Sequence, residues 1–237
     1  MKKAIVVGAT SGIGREIARK LVEEGYKVGI TGRRAEFLEN LKDDSPENYV
    51  TSCFDAAVDD AADQLDKLIG ELGGMDLFIF SSGTGHINAE LDIELEQATN
   101  RLNVIGFTAL VDTAYNYFRR SGGGQIAAIT SVMGMRGSGH APAYAATKAF
   151  QINYLESLRQ RSFANKDNIS VTDLRPGSVD TDMMKGDGHF WVSTPERAAE
   201  CAIKAICKKK AVQYITPRWA VIGNLLKILP RAVYKRF

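Results

Sequence analysis

Cysteine and histidine are scarce in this sequence, with three of each among its 237 residues. Cys53, Cys201 and Cys207 include no C-x-x-C pair, which argues against a disulfide framework and against a cysteine-based zinc cluster. The three histidines share no metal-ligand spacing. We therefore expect no metal site, and we expect the protein in a reducing cytoplasm.

Long apolar runs are also lacking, and so is an excess of one charge. The apolar run that follows Met1 is too short for a signal peptide, and no run approaches the roughly 18 to 20 residues that a membrane span needs. The formal net charge of +2, with 45% hydrophobic and 24% charged residues, is typical of a soluble globular chain. This composition excludes disorder and collagen-like repeats, and we expect no nucleic-acid partner.

Patterns typical of strands and helices alternate along the chain, as they do in βαβ units. Short apolar runs that predict strands lie at 4–7, 28–31, 49–54, 77–80, 126–130, 169–174 and 212–215. Helical spacing predicts helices at 13–24, 37–41, 61–72, 95–118, 143–162 and 195–207. The predicted fold class is α/β: a Rossmann-type, doubly wound parallel sheet of about seven strands with helices on both faces. We assign 1–216 to this single domain and 217–237 to a C-terminal tail.

A glycine-rich turn follows the first predicted strand and leads directly into a helical pattern. Glycine allows the tight turn and lets the backbone approach a pyrophosphate, while the helix start offers free N–H groups and the positive end of its dipole. A glycine-rich turn alone is weak evidence, but its place at the start of a βαβ pattern favours a dinucleotide site. The predicted contacts from this turn are Gly8, Thr10, Ser11, Gly12, Ile13 and Gly14.

The end of the second predicted strand indicates which dinucleotide would bind. An acidic residue there would accept hydrogen bonds from the adenosine ribose of NAD, but the chain has Arg33 and Arg34 instead. A guanidinium suits the geometry of a 2′-phosphate, so we predict NADP(H), bound by Arg33 first and Arg34 second. The alternative is that both arginines are merely solvated side chains at a helix start.

Tyr144 and Lys148 are four residues apart in a segment predicted to be helical, so they share one face. A nearby ammonium group would lower the pKa of the phenol, which is what a general acid or base at a carbonyl needs. The pair is common by chance, so its meaning depends on the rest of the chain.

Together these motifs resemble the short-chain dehydrogenase/reductase family over about residues 3–183. The turn at 8–14 is similar to that family's dinucleotide fingerprint, Tyr144 and Lys148 to its active-site helix, and Ser131 ends the preceding strand at the usual interval. The resemblance implies a catalytic set of Asn103, Ser131, Tyr144 and Lys148. Further cofactor contacts implied in the same way are Asp55, Ala56, Ser82, Gly83, Tyr144, Lys148, Pro176, Gly177, Val179 and Thr181.

The resemblance also implies roles for the catalytic set. Tyr144 would donate a proton to a carbonyl oxygen that Ser131 polarises. Lys148 would hold the ribose hydroxyls and lower the tyrosine pKa, and Asn103 would position a proton-relaying water. The predicted function is an NADPH-dependent carbonyl reductase or, in reverse, an alcohol dehydrogenase that acts on a small to medium substrate. The alternative is a catalytically idle, NADP-binding regulatory protein.

The chain departs from the family pattern after the fourth predicted strand. The family usually has Asn-Asn-Ala-Gly, whereas residues 81–85 read Ser-Ser-Gly-Thr-Gly, so an amide is lost but room beside the cofactor is kept. A short segment, 182–194, would form the substrate lid with Met183, Met184, Phe190 and Trp191, although burial against the body would explain these residues equally well. His140 and His189 are further candidates for the cleft, or else solvated loop residues.

The tail is basic, with nine Lys or Arg residues and no acid from 204 to 237. Trp219, Ile222, Leu225, Leu226 and Leu229 recur at helical spacing and predict a basic amphipathic helix. Such a helix would pack on its own domain, form a dimer contact or make peripheral contact with an anionic membrane surface. The family resemblance implies a homodimer or homotetramer.

Overall fold

The computed structural model describes residues 1–184 and 190–235. Its sheet has the order β3-β2-β1-β4-β5-β6-β7, and all pairings between these strands are parallel. The strands are β1 Lys3–Val7, β2 Lys27–Gly32, β3 Tyr49–Cys53, β4 Leu77–Phe80, β5 Gly124–Ile129, β6 Ile169–Pro176 and β7 Val212–Ile215. The predicted fold class is confirmed.

Helices cover both faces of the sheet. They are α1 Gly12–Glu23, α2 Ala35–Asp43, α3 Ala61–Leu72, α4 Ile93–Asn100, α5 Phe107–Ser121, α6 Pro142–Asn165, α7 Pro195–Cys207, α8 Arg218–Ile228 and α9 Arg231–Tyr234. Two hydrophobic cores result, one under α3, α5 and α6 and the other under α1, α2 and α7. Alternate residues of β4 supply them: Phe78 faces the first core and Ile79 the second, which is why buried parallel strands read as continuous apolar runs.

The prediction of a single long helix at 95–118 is wrong. A π-helical segment, Arg101–Gly106, separates α4 from α5. Gly106 lies against the carbonyl oxygen of Ala56, where any side chain would clash. The buried Asn103 donates hydrogen bonds from its amide to the Thr84 carbonyl oxygen and the Thr147 hydroxyl, at 2.7 and 3.0 Å. These contacts hold the wider turn in place, as is common for π segments at functional sites.

The strand order reverses at β1, because β2 lies on one side of it and β4 on the other. Ligands of doubly wound sheets bind in the crevice that such a reversal opens at the carboxyl ends of the strands. In this chain the glycine-rich turn follows β1, and Ser81 follows β4, so both segments border that crevice.

The C-terminal helices pack on the body of the domain. Helix α8 contacts β7 and the 3₁₀ turn Val132–Met135. Trp219 and Gly223 of α8 are buried. Arg136 donates hydrogen bonds from its Nη1 to the carbonyl oxygens of Leu226 and Leu229, at 3.0 and 2.8 Å. Among the described residues, no helix is long and apolar enough to cross a membrane.

Candidate active site

A cavity of about 700 Å³ lies at the carboxyl ends of the central strands. This volume is within the range of small-molecule and cofactor sites. All of the predicted cofactor-binding residues line it: Gly8, Thr10, Ser11, Gly12, Ile13, Gly14, Arg33, Arg34, Asp55, Ala56, Ser82, Gly83, Tyr144, Lys148, Pro176, Gly177, Val179 and Thr181. The structure therefore brings together residues that are up to 173 positions apart in the chain.

Close backbone approaches explain the glycines of the turn. Gly8 has φ +90° and lies so near the backbone of Ser82 that an added Cβ would be 2.7 Å from the Ser82 nitrogen. Gly14 packs on the carbonyl oxygen of Gly8 with no room for a side chain. Helix α1 begins at Gly12, and the Ser11 side chain does not cap it. Its first N–H groups therefore stay available to an anion, and the cradle fits a dinucleotide pyrophosphate.

The two arginines lie at different parts of this cradle. Arg34 donates hydrogen bonds from Nη2 to the hydroxyls of Thr10 and Ser11, both at 2.8 Å, and its guanidinium stacks on Phe37 at 4.5 Å. Arg33 lies 3.8 Å from the Asp55 carboxylate with its side chain 70% exposed. Arg34, ranked second from the sequence, is thus the arginine that contacts the glycine-rich turn.

Ser131, Tyr144 and Lys148 converge on the cavity from two elements. Ser131 follows β5, and its hydroxyl accepts a hydrogen bond from the Met133 N–H that fixes the next turn. Tyr144 and Lys148 lie in the first two turns of α6, with the lysine Nζ 5.8 Å from the centre of the tyrosine ring. The side chains thus stand within reach of one small ligand.

Asn103 does not line the cavity but lies directly behind it. Its Oδ1 accepts a hydrogen bond from the Thr84 N–H, so it fixes the loop after β4. Its backbone carbonyl accepts a hydrogen bond from Gln151 Nε2 at 2.9 Å, and Gln151 Oε1 accepts one from Lys148 Nζ at 3.0 Å. A buried chain of hydrogen bonds therefore connects the π segment to Lys148.

Burial dominates the proton affinities of the pair on α6. Desolvation lowers the pKa of Lys148 to about 7, against the opposing influence of the Asp173 carboxylate. Desolvation also raises the pKa of Tyr144, and the Ser131 hydroxyl opposes this rise. The expected lowering of the pKa of Tyr144 is not met, because desolvation outweighs the neighbouring groups. Lys148 Nζ donates hydrogen bonds to the Ile129 carbonyl oxygen, at 2.9 Å, and to Gln151 Oε1, at 3.0 Å.

Sequence reasoning missed several residues that shape the site. Gly85 packs against the Tyr144 ring so closely that an added Cβ would be 2.8 Å from the ring Cγ. Gln151, which follows Lys148 at the helical spacing of three residues, could have been found from that spacing. Trp219 of α8 lines the cavity and covers Gly177 with no space for a side chain there, and nothing in its local sequence indicates this contact.

The proposed lid is described only in part. Met183 and Met184 line the cavity. Phe190 and Trp191 pack on the Trp219 ring, with centroids 5.1 and 6.0 Å apart.

The two histidine candidates for the cleft have different outcomes. His189 lies outside the described residues. His140 is exposed and is not among the residues that line the cavity, whereas His86 lines it.

Comparison with known proteins identifies a protein family that matches most of the chain. The family model described as short chain dehydrogenase matches residues 2–189. An uncharacterized oxidoreductase of Mycobacterium tuberculosis is 28% identical, with 100% of this chain and 97% of the relative covered. An uncharacterized oxidoreductase of Myxococcus xanthus is 29% identical, with 98% and 94% covered.

Two solved structures share the fold. An alcohol dehydrogenase of the archaeon Thermococcus sibiricus, complexed with 5-hydroxy-NADP, superposes with a TM-score of 0.78 at 24% identity over 90% of this chain and 94% of that one. A short-chain dehydrogenase of Streptomyces avermitilis superposes with a TM-score of 0.81 at 23% identity over 94% of this chain and 90% of that one.

Proposed function

This chain belongs to the short-chain dehydrogenase family, and from that premise we propose that it is an NADPH-dependent carbonyl reductase that can also run in reverse as an alcohol dehydrogenase. The observation that carries the proposal is the convergence of Ser131, Tyr144 and Lys148 on a cavity that also contains the glycine-rich turn. The substrate would be a small to medium carbonyl compound, bound in the same cavity beside the cofactor.

The cofactor, when bound, would supply the hydride, and the side chains would manage the proton. Because burial raises the pKa of Tyr144, its phenol keeps its proton at neutral pH and is suited to donate it to a carbonyl oxygen. Ser131 lines the same part of the cavity, and its hydroxyl would polarise that oxygen.

Lys148 is suited to hold the ribose of the cofactor. An added Cβ on Gly83 would be 3.4 Å from Lys148 Nζ and 3.6 Å from Asn103 Oδ1, so the missing side chain leaves the lysine open to the cavity. The hydrogen bonds from Nζ to Ile129 and Gln151 fix its orientation, and the bond from Gln151 to the Asn103 carbonyl oxygen fixes Gln151 in turn.

The preference for NADP rests on Arg34 and its two hydroxyl partners. A guanidinium held between Thr10 and Ser11 at the end of β2 is well placed for a 2′-phosphate, and no carboxylate follows β2 directly to bind the ribose hydroxyls of NAD. Arg33 would contribute a second positive charge, reduced by its contact with Asp55.

A screen of ketones and aldehydes with NADPH and with NADH, followed by the loss of reduced-cofactor absorbance, tests the proposal. We expect turnover with NADPH, and the Tyr144→Phe variant should bind the cofactor but lose turnover. Normal turnover by that variant would refute the mechanism. Tight NADPH binding without turnover of any carbonyl, combined with cofactor-dependent binding to a protein, would favour the idle regulator instead.

We also propose that two or four copies associate. Small side chains lie on the exposed side of α6, at Ala146 and Ala149, and would let the same helix of a second copy approach closely. Sedimentation equilibrium should give twice or four times the chain mass of 25.9 kDa.

A further inference from the structure

Helix α8 carries apolar side chains on two faces, one toward the body and one toward solvent. The inner face uses Trp219, which is buried, and Ile222 and Leu226, which are half-buried. The outer face carries Val221, Leu225 and Ile228, which are 67, 50 and 78% exposed. Packing on the body therefore occupies most of the apolar stripe predicted from the sequence and leaves a second one in solvent. We call Val221, Leu225 and Ile228 the outer stripe.

The outer stripe is a continuous surface. Its residues follow one another at intervals of four and three, which places them on one side of the helix. Arg218 and Lys227, both exposed, flank it on either side. Single exposed apolar residues need no explanation, but three in a row on one helix do.

Three contacts keep the outer stripe facing outward. Trp219 is wedged against Gly177, and Gly223 packs on the Tyr214 ring, where an added Cβ would be 2.5 Å from the ring Cε1. At the other end, Arg136 holds the carbonyl oxygens of Leu226 and Leu229. The helix therefore cannot turn the outer stripe inward without breaking its attachment at both ends.

The charge of the surrounding segment indicates what covers the outer stripe. The chain from 204 to 237 contains no acidic residue, whereas 1–203 has 28 acids and an acidic balance. An apolar stripe flanked by Lys and Arg matches the interface of an anionic bilayer, where apolar side chains enter the boundary of the acyl chains and basic ones reach the headgroups. A helix face that contacts only water does not require positive charge to be concentrated around it.

We propose that the outer stripe of α8 docks the protein peripherally on an anionic lipid membrane surface. Docking would be reversible, because three apolar side chains and a few basic ones bury far less apolar surface than a membrane span. Since Trp219 at the start of the same helix lines the cavity, the docked face and the candidate active site would share one structural element.

The test is flotation of the full-length protein with vesicles of phosphatidylcholine, alone or mixed with phosphatidylglycerol. We expect it to float with the mixed vesicles at low salt, to float less at high salt and to stay unbound to phosphatidylcholine alone. The Leu225→Gln/Ile228→Gln variant should bind roughly tenfold more weakly or worse, from the lost apolar burial. The Arg218→Gln/Lys227→Gln variant should lose the preference for the anionic lipid.

The matched control is Ile93→Gln at the start of α4, because Ile93 is 63% exposed but lies outside the outer stripe and outside the proposed contact on α6. It should float like the unmodified protein, and all variants should keep their melting temperature because the changed residues are exposed. Unchanged flotation of Leu225→Gln/Ile228→Gln would overturn the proposal. The proposal would also be overturned if the parent protein bound no vesicles and the Leu225→Gln/Ile228→Gln variant changed from dimer to monomer. The outer stripe would then be a contact between copies of this chain. Flotation requires no turnover, so a failure to float would leave the proposed reductase activity standing. A failure to find reductase activity would likewise leave the membrane proposal standing.

Discussion

The Gly85→Ala variant is the sharpest test of how the site is built, because the perturbation is a single methyl group. The added Cβ would be 2.8 Å from Tyr144 Cγ and 3.1 Å from Cε2, whereas ordinary contacts begin at 3.4 Å. Gly85 does not have the positive φ that would strain an alanine, so the clash with the ring is the main consequence. Relief requires a movement of several tenths of an ångström up to about 1 Å, either by the phenol or by the loop.

A misplacement of about 1 Å at a reacting group costs on the order of a hundredfold in rate, or about 2.7 kcal/mol in activation free energy. We therefore expect kcat for carbonyl reduction with NADPH to fall by roughly this factor, while the affinity for NADPH, measured by fluorescence titration, stays close to that of the parent protein. Gly139→Ala is the matched control, because Gly139 lies in a loop before α6 and has no atom within 4 Å of an added Cβ. It should leave kcat unchanged.

Wild-type turnover by Gly85→Ala would refute this reasoning. It would mean that the loop after β4, and not the tyrosine, yields to the methyl group, and that the ring position is not set by Gly85. Loss of NADPH binding together with turnover would equally contradict it, because the loop would then have collapsed into the cofactor site.

Two further predictions concern the candidate active site, and a third concerns the buried ion pair of Asp173 and Arg175. Because burial raises the pKa of Tyr144, kcat/KM for reduction should fall as the pH rises through that pKa, whereas alcohol oxidation should increase over the same range. A separate, earlier change is expected near pH 7, where Lys148 loses its charge, and a reduction rate that falls already at acidic pH would contradict the assignment. Arg34→Gln should raise KM for NADPH about tenfold and leave KM for NADH unchanged. Arg33→Gln should raise KM for NADPH less, because the Arg33 guanidinium is more exposed and faces Asp55; equal effects of the two variants would count against the role of Arg34. Asp173→Asn should lower the free energy of unfolding, measured by urea denaturation, by about 3–5 kcal/mol, because the buried Arg175 guanidinium would lose the carboxylate that lies 2.6 Å away. A loss below about 1 kcal/mol would show that the ion pair is dispensable for stability.

The sequence was informative wherever function depends on residues close together in the chain. The glycine-rich turn, the pair at 144 and 148 and the seven apolar runs could all be located by spacing, because strands buried on both faces must be apolar throughout and helix neighbours recur every three or four residues. The alternation of these elements then predicted the doubly wound sheet, whose switch point brings their ends together.

The sequence failed where a local pattern competes with a distant contact. Residues 95–118 read as one helix, but the approach of Gly106 to Ala56 and the hydrogen bonds of Asn103 open a π segment inside it. The tail read as a helix with one apolar stripe, but its packing on Gly177 and Tyr214 turned most of that stripe inward and left Leu225, with Val221 and Ile228, in solvent.

The spacing of residues along the chain thus determined the fold and located the glycine-rich turn, and the family resemblance supplied the candidate catalytic side chains. Only the tertiary structure decided which arginine contacts the glycine-rich turn. It also decided that the pKa of Tyr144 is raised and that of Lys148 lowered. The physical reason is that desolvation depends on every group packed around an atom, and those groups come from parts of the chain that no local pattern connects.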